Sequence, residues 1–242
     1  MNALSISERE AEEWLANFPR LFDLYQRSEK NDPKNYFNFN ELFPIAFLGS
    51  AAYADIEKAL ARLDATAWEK LRKKALPYVT TDDPLRSYQQ LFNTLDEARG
   101  YIFLADQGYE QIEFIEPELR KKNNPELPDL VARKSDSTAI LEVKTINESD
   151  DCLKPTAPWR HGAVIVPPSL SEKLEDKIDS TIQKARSQLN SYPLRTDRKI
   201  VLLVSHFDHG QKTGGHLYLE LEKFIAFRNM KDSVEIYHQA ML

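Results

Sequence analysis

The residues best placed to do chemistry lie in one short stretch, PDLVARKSDSTAILEVK, which contains Asp129, Glu142 and Lys144. Alternate residues of a strand share a face, so Glu142 and Lys144 are expected to point the same way. A hairpin turn centred between Ser135 and Asp136 places Asp129 directly opposite Glu142, with their Cβ atoms ~4.5–5.5 Å apart. A bulge or a longer turn would shift this pairing to a diagonal, so the prediction depends on the turn.

Two opposed carboxylates destabilise a sheet unless a raised pKa or a bound cation compensates for their repulsion. Mg²⁺ takes hard oxygen ligands, including carboxylates, and keeps several waters. A Mg²⁺ or Mn²⁺ ion held by Asp129 and Glu142, with the Val143 carbonyl as a further ligand, would orient a phosphate and activate a water. The Lys144 ammonium beside it would hold that water or stabilise the developing charge. These residue types therefore predict metal-dependent hydrolysis of phosphodiesters.

The elements around this stretch predict an α/β layer with a mixed sheet. Four segments are short and rich in β-branched or aromatic residues, which is typical of strands. One long helix, residues 171–192, is predicted before the fourth strand, and another helix precedes the first. The order is helix, three strands, helix, strand. The strand segments are YEQIEFIE, PDLVARK, TAILEVKTI and KIVLLVSHF.

Helix signals also mark the region before the sheet. Asp64 is expected to cap the helix ATAWEKLRKKAL, which should end before Pro77. Asp83 followed by Pro84 predicts the start of a further helix, which runs on to Gly108. Residues 1–82 are therefore expected to form a helical N-terminal region, and residues 83–242 the α/β domain.

Pro128-Asp129, followed after twelve residues by Glu142-Val143-Lys144, resembles the signature of the PD-(D/E)xK nuclease superfamily. The predicted element order is similar to the αβββαβ core of that restriction-endonuclease-like fold. The resemblance covers roughly residues 84–220. It implies a Mg²⁺- or Mn²⁺-dependent nuclease acting on nucleic acid, DNA above all.

The resemblance also assigns roles outside the hairpin. A helix before the first strand often supplies an acidic metal ligand in such enzymes, and Glu97 lies at that place. Gln188 and Tyr192 match the QxxxY motif of the RecB-like branch, which helps to position the metal site or the DNA. The helical spacing supports this independently, because Thr181, Ala185, Gln188 and Tyr192 share one stripe.

Other interpretations stay open. Asp129 and Glu142 would also suit the exposed face of an edge hairpin, with Lys144 as an ion-pair partner. Glu97 would suit an ordinary helix surface, and a helix stripe readily includes Gln188 and Tyr192. A nuclease fold without activity would serve as a binding or assembly module. Cleavage of RNA would use the same residues.

Composition narrows the class of protein. The chain has 242 residues and 42% hydrophobic content, enough for a packed core. Its single cysteine, Cys152, excludes an internal disulfide framework. The N-terminus carries acids where a secretion signal would be basic and apolar, so we expect a cytoplasmic protein with no membrane segment. The net charge of −6 lowers the expectation of tight nonspecific DNA binding. The helical region 1–82 is expected to offer a surface for a homodimer contact or a protein partner.

Overall fold

The structure is a computed structural model, and the chain divides into two compact units, Met1–Ile102 and Phe103–Leu242. This division lies C-terminal to the predicted boundary after residue 82. No helix in the described part of the chain is long and apolar enough to cross a bilayer. The structure describes residues 13, 16–37, 51–81, 83, 88–115, 127–146, 170–193, 195–205, 214–229 and 234–240.

The described part of the first unit is helical. Its buried side chains include Leu24, Leu60 and Leu71, one from each of three helices. Those three helices are α1 (Pro19–Arg27), α2 (Ala51–Ala61) and α3 (Ala65–Val79). They are followed by α4 (Gln89–Leu95) and α5 (Glu97–Asp106), and α5 continues into the second unit.

Helix α3 begins where its sequence predicts and ends later. Asp64 is its N-cap, and the Asp64 carboxylate accepts a hydrogen bond from the Ala67 N–H at 2.8 Å. The predicted end before Pro77 is wrong, because the helix continues to Val79. Pro77 lies in the last turn, where a missing N–H removes one hydrogen bond and no following turn depends on it.

Replacing Asp64 by Ala is expected to lower the free energy of unfolding by about 1 kcal/mol at neutral pH, because the first turn of α3 loses its acceptor. The Ala67 hydrogen bond holds the pKa of Asp64 below its usual value, and a bond from the Tyr101 hydroxyl adds to this effect. The stabilisation is therefore present above the unfolded pKa and is lost as the pH falls through the folded pKa.

Urea unfolding at neutral and at acid pH checks this prediction. Asp64→Asn is the matched control, since an amide oxygen still caps the helix while the titration disappears. An Asp64→Ala protein as stable as the wild type at neutral pH would contradict it.

The helix predicted from Pro84 to Gly108 is two helices, α4 and α5, with Asp96 between them. The predicted start at Pro84 lies outside the described residues. The predicted end is confirmed, because α5 ends at Asp106 and Gly108 has a φ of 81°. A Cβ at Gly108 would lie 3.0 Å from the Lys134 Nζ, so glycine suits both the backbone and the packing.

The second unit contains a five-stranded mixed sheet in the order β1-β2-β3-β4-β5. The first three strands pair antiparallel, and β3 pairs parallel with β4, as β4 does with β5. The predicted order of three strands, a helix and a strand is confirmed. The elements are β1 (Gln111–Phe114), β2 (Leu130–Lys134), β3 (Ser137–Ile146), α6 (Glu172–Asn190), β4 (Arg198–Ser205), α7 (Gly214–Asn229) and β5 (Glu235–Ala240).

Helix α6 packs on one face of this sheet through an apolar cluster. Its N-cap is Ser171, whose side chain accepts a hydrogen bond from the Leu174 N–H. Alternate residues of a strand point to the same face of the sheet. Ile140 and Ile146 of β3 are buried against α6, so Glu142 and Lys144, which lie between them at the same alternate positions, point to the α6 face as well. The buried members of the cluster include Ile140, Ile146, Ile178, Ile182, Ala185, Leu189, Val201, Leu203 and Ile236.

Candidate active site

The hairpin that carries the predicted site has the predicted register. Leu130 pairs with Leu141, and Lys134 pairs with Ser137 across a two-residue turn at Ser135 and Asp136. Ser135 has a φ of 46°, the left-handed conformation that suits such a turn. Continuing this register by one residue places Asp129 opposite Glu142, on the α6 face of the sheet.

Described residues hold Asp129 at the start of β2 through backbone and side-chain hydrogen bonds. Its N–H donates to the Leu141 carbonyl at 3.1 Å, and its carbonyl accepts from the Ile115 N–H at 2.8 Å. Its carboxylate oxygen Oδ2 accepts from the Val143 N–H at 3.0 Å. The side chain is buried, so its position is determined by the backbone of all three antiparallel strands.

Glu142 and Lys144 form an ion pair within β3. The Lys144 Nζ lies 2.5 Å from the Glu142 Oε1, and the side chains are 25% and 2% exposed respectively. An opposite charge at this distance compensates for the two opposed carboxylates that the register brings together. The repulsion expected from the sequence is therefore balanced inside the chain, by the Lys144 ammonium at Glu142 and by the Val143 amide at Asp129.

The donor atoms present here suit a hard divalent cation. The N–H and C=O of one strand residue point toward the same neighbouring strand. Since the Val143 N–H reaches Asp129, the Val143 carbonyl is also directed toward β2. Two carboxylates and one carbonyl, completed by water, are oxygen ligands of the kind that Mg²⁺ accepts. Within the described ranges, no group of three or more His, Cys, Asp or Glu side chains is arranged to hold a metal ion.

Glu97 lies in the helical unit, at the first position of α5. Both of its carboxylate oxygens accept from the Lys74 Nζ, at 2.6 and 2.7 Å, and the residue is buried. The buried position agrees with the idea that Glu97 is more than a surface acid. Its role as a metal ligand stays a prediction.

Gln188 lies on the face of α6 that packs on the sheet. The helix ends at Asn190, so Tyr192 lies two residues beyond it and the predicted helical stripe stops short of Tyr192. Gln188 is 7% exposed, and its Oε1 has no hydrogen-bond partner among the described residues. Tyr192 packs against the apolar cluster. Burial raises the pKa of the Tyr192 hydroxyl, with a small opposing effect from Arg133 and a reinforcing one from Glu113. Both side chains thus share the sheet face of Glu142, with Tyr192 toward the β1–β2 edge.

Ser205 and His238 are polar residues on the α6 face that the sequence analysis did not single out. The Ser205 Oγ lies 2.7 Å from the His238 Nε2, and the Tyr218 ring stacks on the imidazole at 6.1 Å between centroids. Burial lowers the pKa of His238, although Glu222 acts in the opposite direction. The register places Leu203 between His238 and Lys144. No spacing in the sequence signals this pair, because its partners come from different strands.

Comparison with known proteins gives no relative for this chain. No protein-family model matches it, and neither a curated protein nor a solved structure shows significant similarity.

Proposed function

We propose that the protein is a metal-dependent nuclease of the PD-(D/E)xK type that hydrolyses phosphodiester bonds of DNA. The observation that carries this proposal is the arrangement at the start of β2 and the middle of β3. There Asp129 stands opposite Glu142, and the Lys144 ammonium lies 2.5 Å from the Glu142 carboxylate. Buried carboxylates opposed on one sheet face, with a lysine on the same face, supply a metal-ligand set and a cationic group beside it.

Each residue has a defined task in this proposal. Asp129 and Glu142 provide carboxylate oxygens for a Mg²⁺ or Mn²⁺ ion, and the Val143 carbonyl provides a third ligand. When bound, the ion supplies Lewis-acid activation of the phosphate and of a water. Lys144 orients the attacking water and stabilises the negative charge that develops on the phosphate oxygens. Glu97 is proposed as a further acidic ligand.

A second candidate is a nuclease-fold protein that binds or assembles without cleaving. One observation favours it: the two carboxylates are already bound inside the chain, by the Val143 N–H and the Lys144 Nζ. A site that serves only to hold the hairpin together would need no metal. The net charge of −6 also agrees with a protein that does not bind DNA tightly.

A cleavage assay separates these candidates. Purified protein is incubated with linear, circular and single-stranded DNA and with RNA, in Mg²⁺, in Mn²⁺ and in EDTA. We expect DNA products with either metal and none in EDTA. RNA products without DNA products would indicate that the protein cleaves RNA instead of DNA. Full activity in EDTA would contradict the proposed metal dependence. Absence of product with every metal would favour the second candidate, a nuclease-fold protein that does not cleave.

Gln188→Met tests the proposed role of the QxxxY motif. Methionine keeps the length of the side chain and removes a buried amide whose Oε1 has no described partner. Removing such a group is expected to leave the melting temperature unchanged or slightly raised. If the amide bonds to the site or positions DNA, cleavage falls while the protein stays folded. Unchanged turnover would indicate that Gln188 only packs against the sheet and has no role in cleavage.

Tyr192→Phe is the companion variant, because it keeps the ring and deletes the hydroxyl. A neutral hydrogen bond contributes ~0.5–1.5 kcal/mol, so a purely structural role predicts a small melting shift and normal turnover. A role in positioning DNA predicts lost turnover at an almost unchanged melting temperature. Single-turnover cleavage and thermal unfolding of both variants give these readouts.

A further inference from the structure

The contacts that described residues make with the two acids differ in kind. Asp129 accepts from a neutral donor, the Val143 N–H, through its Oδ2 oxygen. Glu142 is bound by a full positive charge, the Lys144 ammonium, through its Oε1 oxygen. A carboxylate has two oxygens and about four acceptor sites, so the Val143 N–H alone does not use up the acceptor capacity of Asp129. The ammonium on Glu142 instead competes directly for the charge that a metal would use.

We propose that Lys144 acts as the resident cation of the metal-free site, and that a divalent ion binds by displacing the Lys144 ammonium from Glu142. This inference rests on the proposed function and adds a regulatory role for the same lysine. Metal affinity is then set by a competition within β3. The released ammonium becomes available to water and phosphate only after the metal has bound, so loading the metal prepares the lysine for its task.

Burial explains why the lysine moves and the glutamate stays. The Glu142 side chain is 2% exposed, whereas the Lys144 side chain is 25% exposed. A buried carboxylate without a counter-ion is costly, so Glu142 must exchange one cation for another and not simply lose one. Lys144 has a flexible stem and a partly open path to solvent, and its charged end can turn outward. The exchange therefore requires no movement of β3.

Lys199 provides a matched control for the general effect of charge. The register places Lys199 beside Ile140, on the same face of the sheet as Glu142. Its Nζ donates to the neutral Asn190 Oδ1 at 2.7 Å. Lys199→Met and Lys144→Met each remove one positive charge from this face, but only Lys144→Met removes the competitor.

Calorimetric titration with Mn²⁺ alone tests the proposal on the full chain. Lys144→Met is expected to bind Mn²⁺ about tenfold more tightly than the wild type, or more, because the ion no longer displaces an ammonium. Lys199→Met should stay close to the wild type, and Lys144→Arg should bind as weakly as the wild type because it keeps a cation beside Glu142. Binding should be lost in Glu142→Gln.

Thermal unfolding supplies an independent readout. In EDTA, Lys144→Met should melt below the wild type, since the buried Glu142 carboxylate loses its ion pair with Lys144. In excess Mn²⁺ this deficit should disappear or reverse, because the ion replaces the ammonium. A deficit that persists in excess Mn²⁺ would contradict the exchange, because the ion would then fail to replace the ammonium at Glu142.

The outcomes distinguish this inference from the proposed function. Equal Mn²⁺ affinity in the wild type and in Lys144→Met, with binding lost in Glu142→Gln, would overturn the competition and leave the metal site in place. Absence of Mn²⁺ binding in every variant would overturn the proposed function and the competition together. Binding by Lys144→Met alone would support the competition in its strongest form.

Discussion

Asp129→Asn and Glu142→Gln are each expected to reduce metal-dependent cleavage by about a thousandfold, because each removes a charged ligand. A metal ion contributes several kcal/mol of transition-state stabilisation, and each 1.36 kcal/mol is a factor of ten in rate. Single-turnover cleavage of DNA in Mg²⁺ measures the effect. The amide variants suit this test better than alanine, because the structure gives both acids a partner inside the sheet.

The fold should tolerate these two changes. In Asp129→Asn the side-chain oxygen still accepts from the Val143 N–H, so the start of β2 keeps its anchor. In Glu142→Gln the Lys144 ammonium loses its counter-ion but can turn toward solvent, since that side chain is partly exposed. We expect small melting shifts beside the loss of rate. Cleavage at the wild-type rate by either folded variant would refute the assignment of these acids as ligands.

Lys144→Met is expected to lower the cleavage rate by about 10²–10³-fold even when Mg²⁺ is saturating. The ammonium is not a metal ligand, so added metal cannot restore what is lost. The affected step is the one in which charge develops on the phosphate, and the rate should fall without a corresponding loss of DNA affinity. Single-turnover rates measured over a range of Mg²⁺ concentrations separate the two effects.

Two lysine variants control this experiment. Lys199→Met removes a positive charge from the same sheet face but away from the acids, and it should cleave at nearly the wild-type rate. Lys144→Arg keeps the charge with a different donor geometry and should restore part of the rate. A Lys144→Met rate that rises to the wild-type value at high Mg²⁺ would show that Lys144 acts only through metal binding.

The hairpin was predictable because local rules determine it. A polar two-residue turn and alternation on both sides allow one register, and the structure has that register. The cap at Asp64 follows from a similarly local hydrogen bond. The placement of Glu142 and Lys144 on one face of β3 requires only the strand period.

Other features depend on tertiary contacts and escaped prediction. Helix α7 has apolar residues around much of its circumference, including the exposed Leu219 and Phe227, so its sequence lacks a clear one-sided stripe. Strand β5 is short and is stabilised by parallel pairing with β4, which comes from a distant part of the sequence. The persistence of α3 past Pro77 depends on where that proline lies in the last turn.

One of the two described partners of the acids was open from the sequence. The ion pair of Lys144 with Glu142 was the alternative to a metal site, whereas the hydrogen bond from the Val143 N–H to Asp129 was not predicted. Side-chain rotamers and hydrogen bonds at this scale follow from packing between strands and α6, which the sequence pattern does not specify. The pairing of Ser205 with His238 has the same origin.

The most direct test of the metal site is anomalous scattering from Mn²⁺-soaked crystals of the full chain. We expect one strong peak at coordination distance from carboxylate oxygens of Asp129 and Glu142, with the Val143 carbonyl as a third ligand, and no such peak in Asp129→Asn crystals. The Lys144 ammonium should have moved away from the Glu142 Oε1 in the loaded crystal. A saturating soak with no peak between these two acids, or with its peak elsewhere on the molecule, would contradict the account.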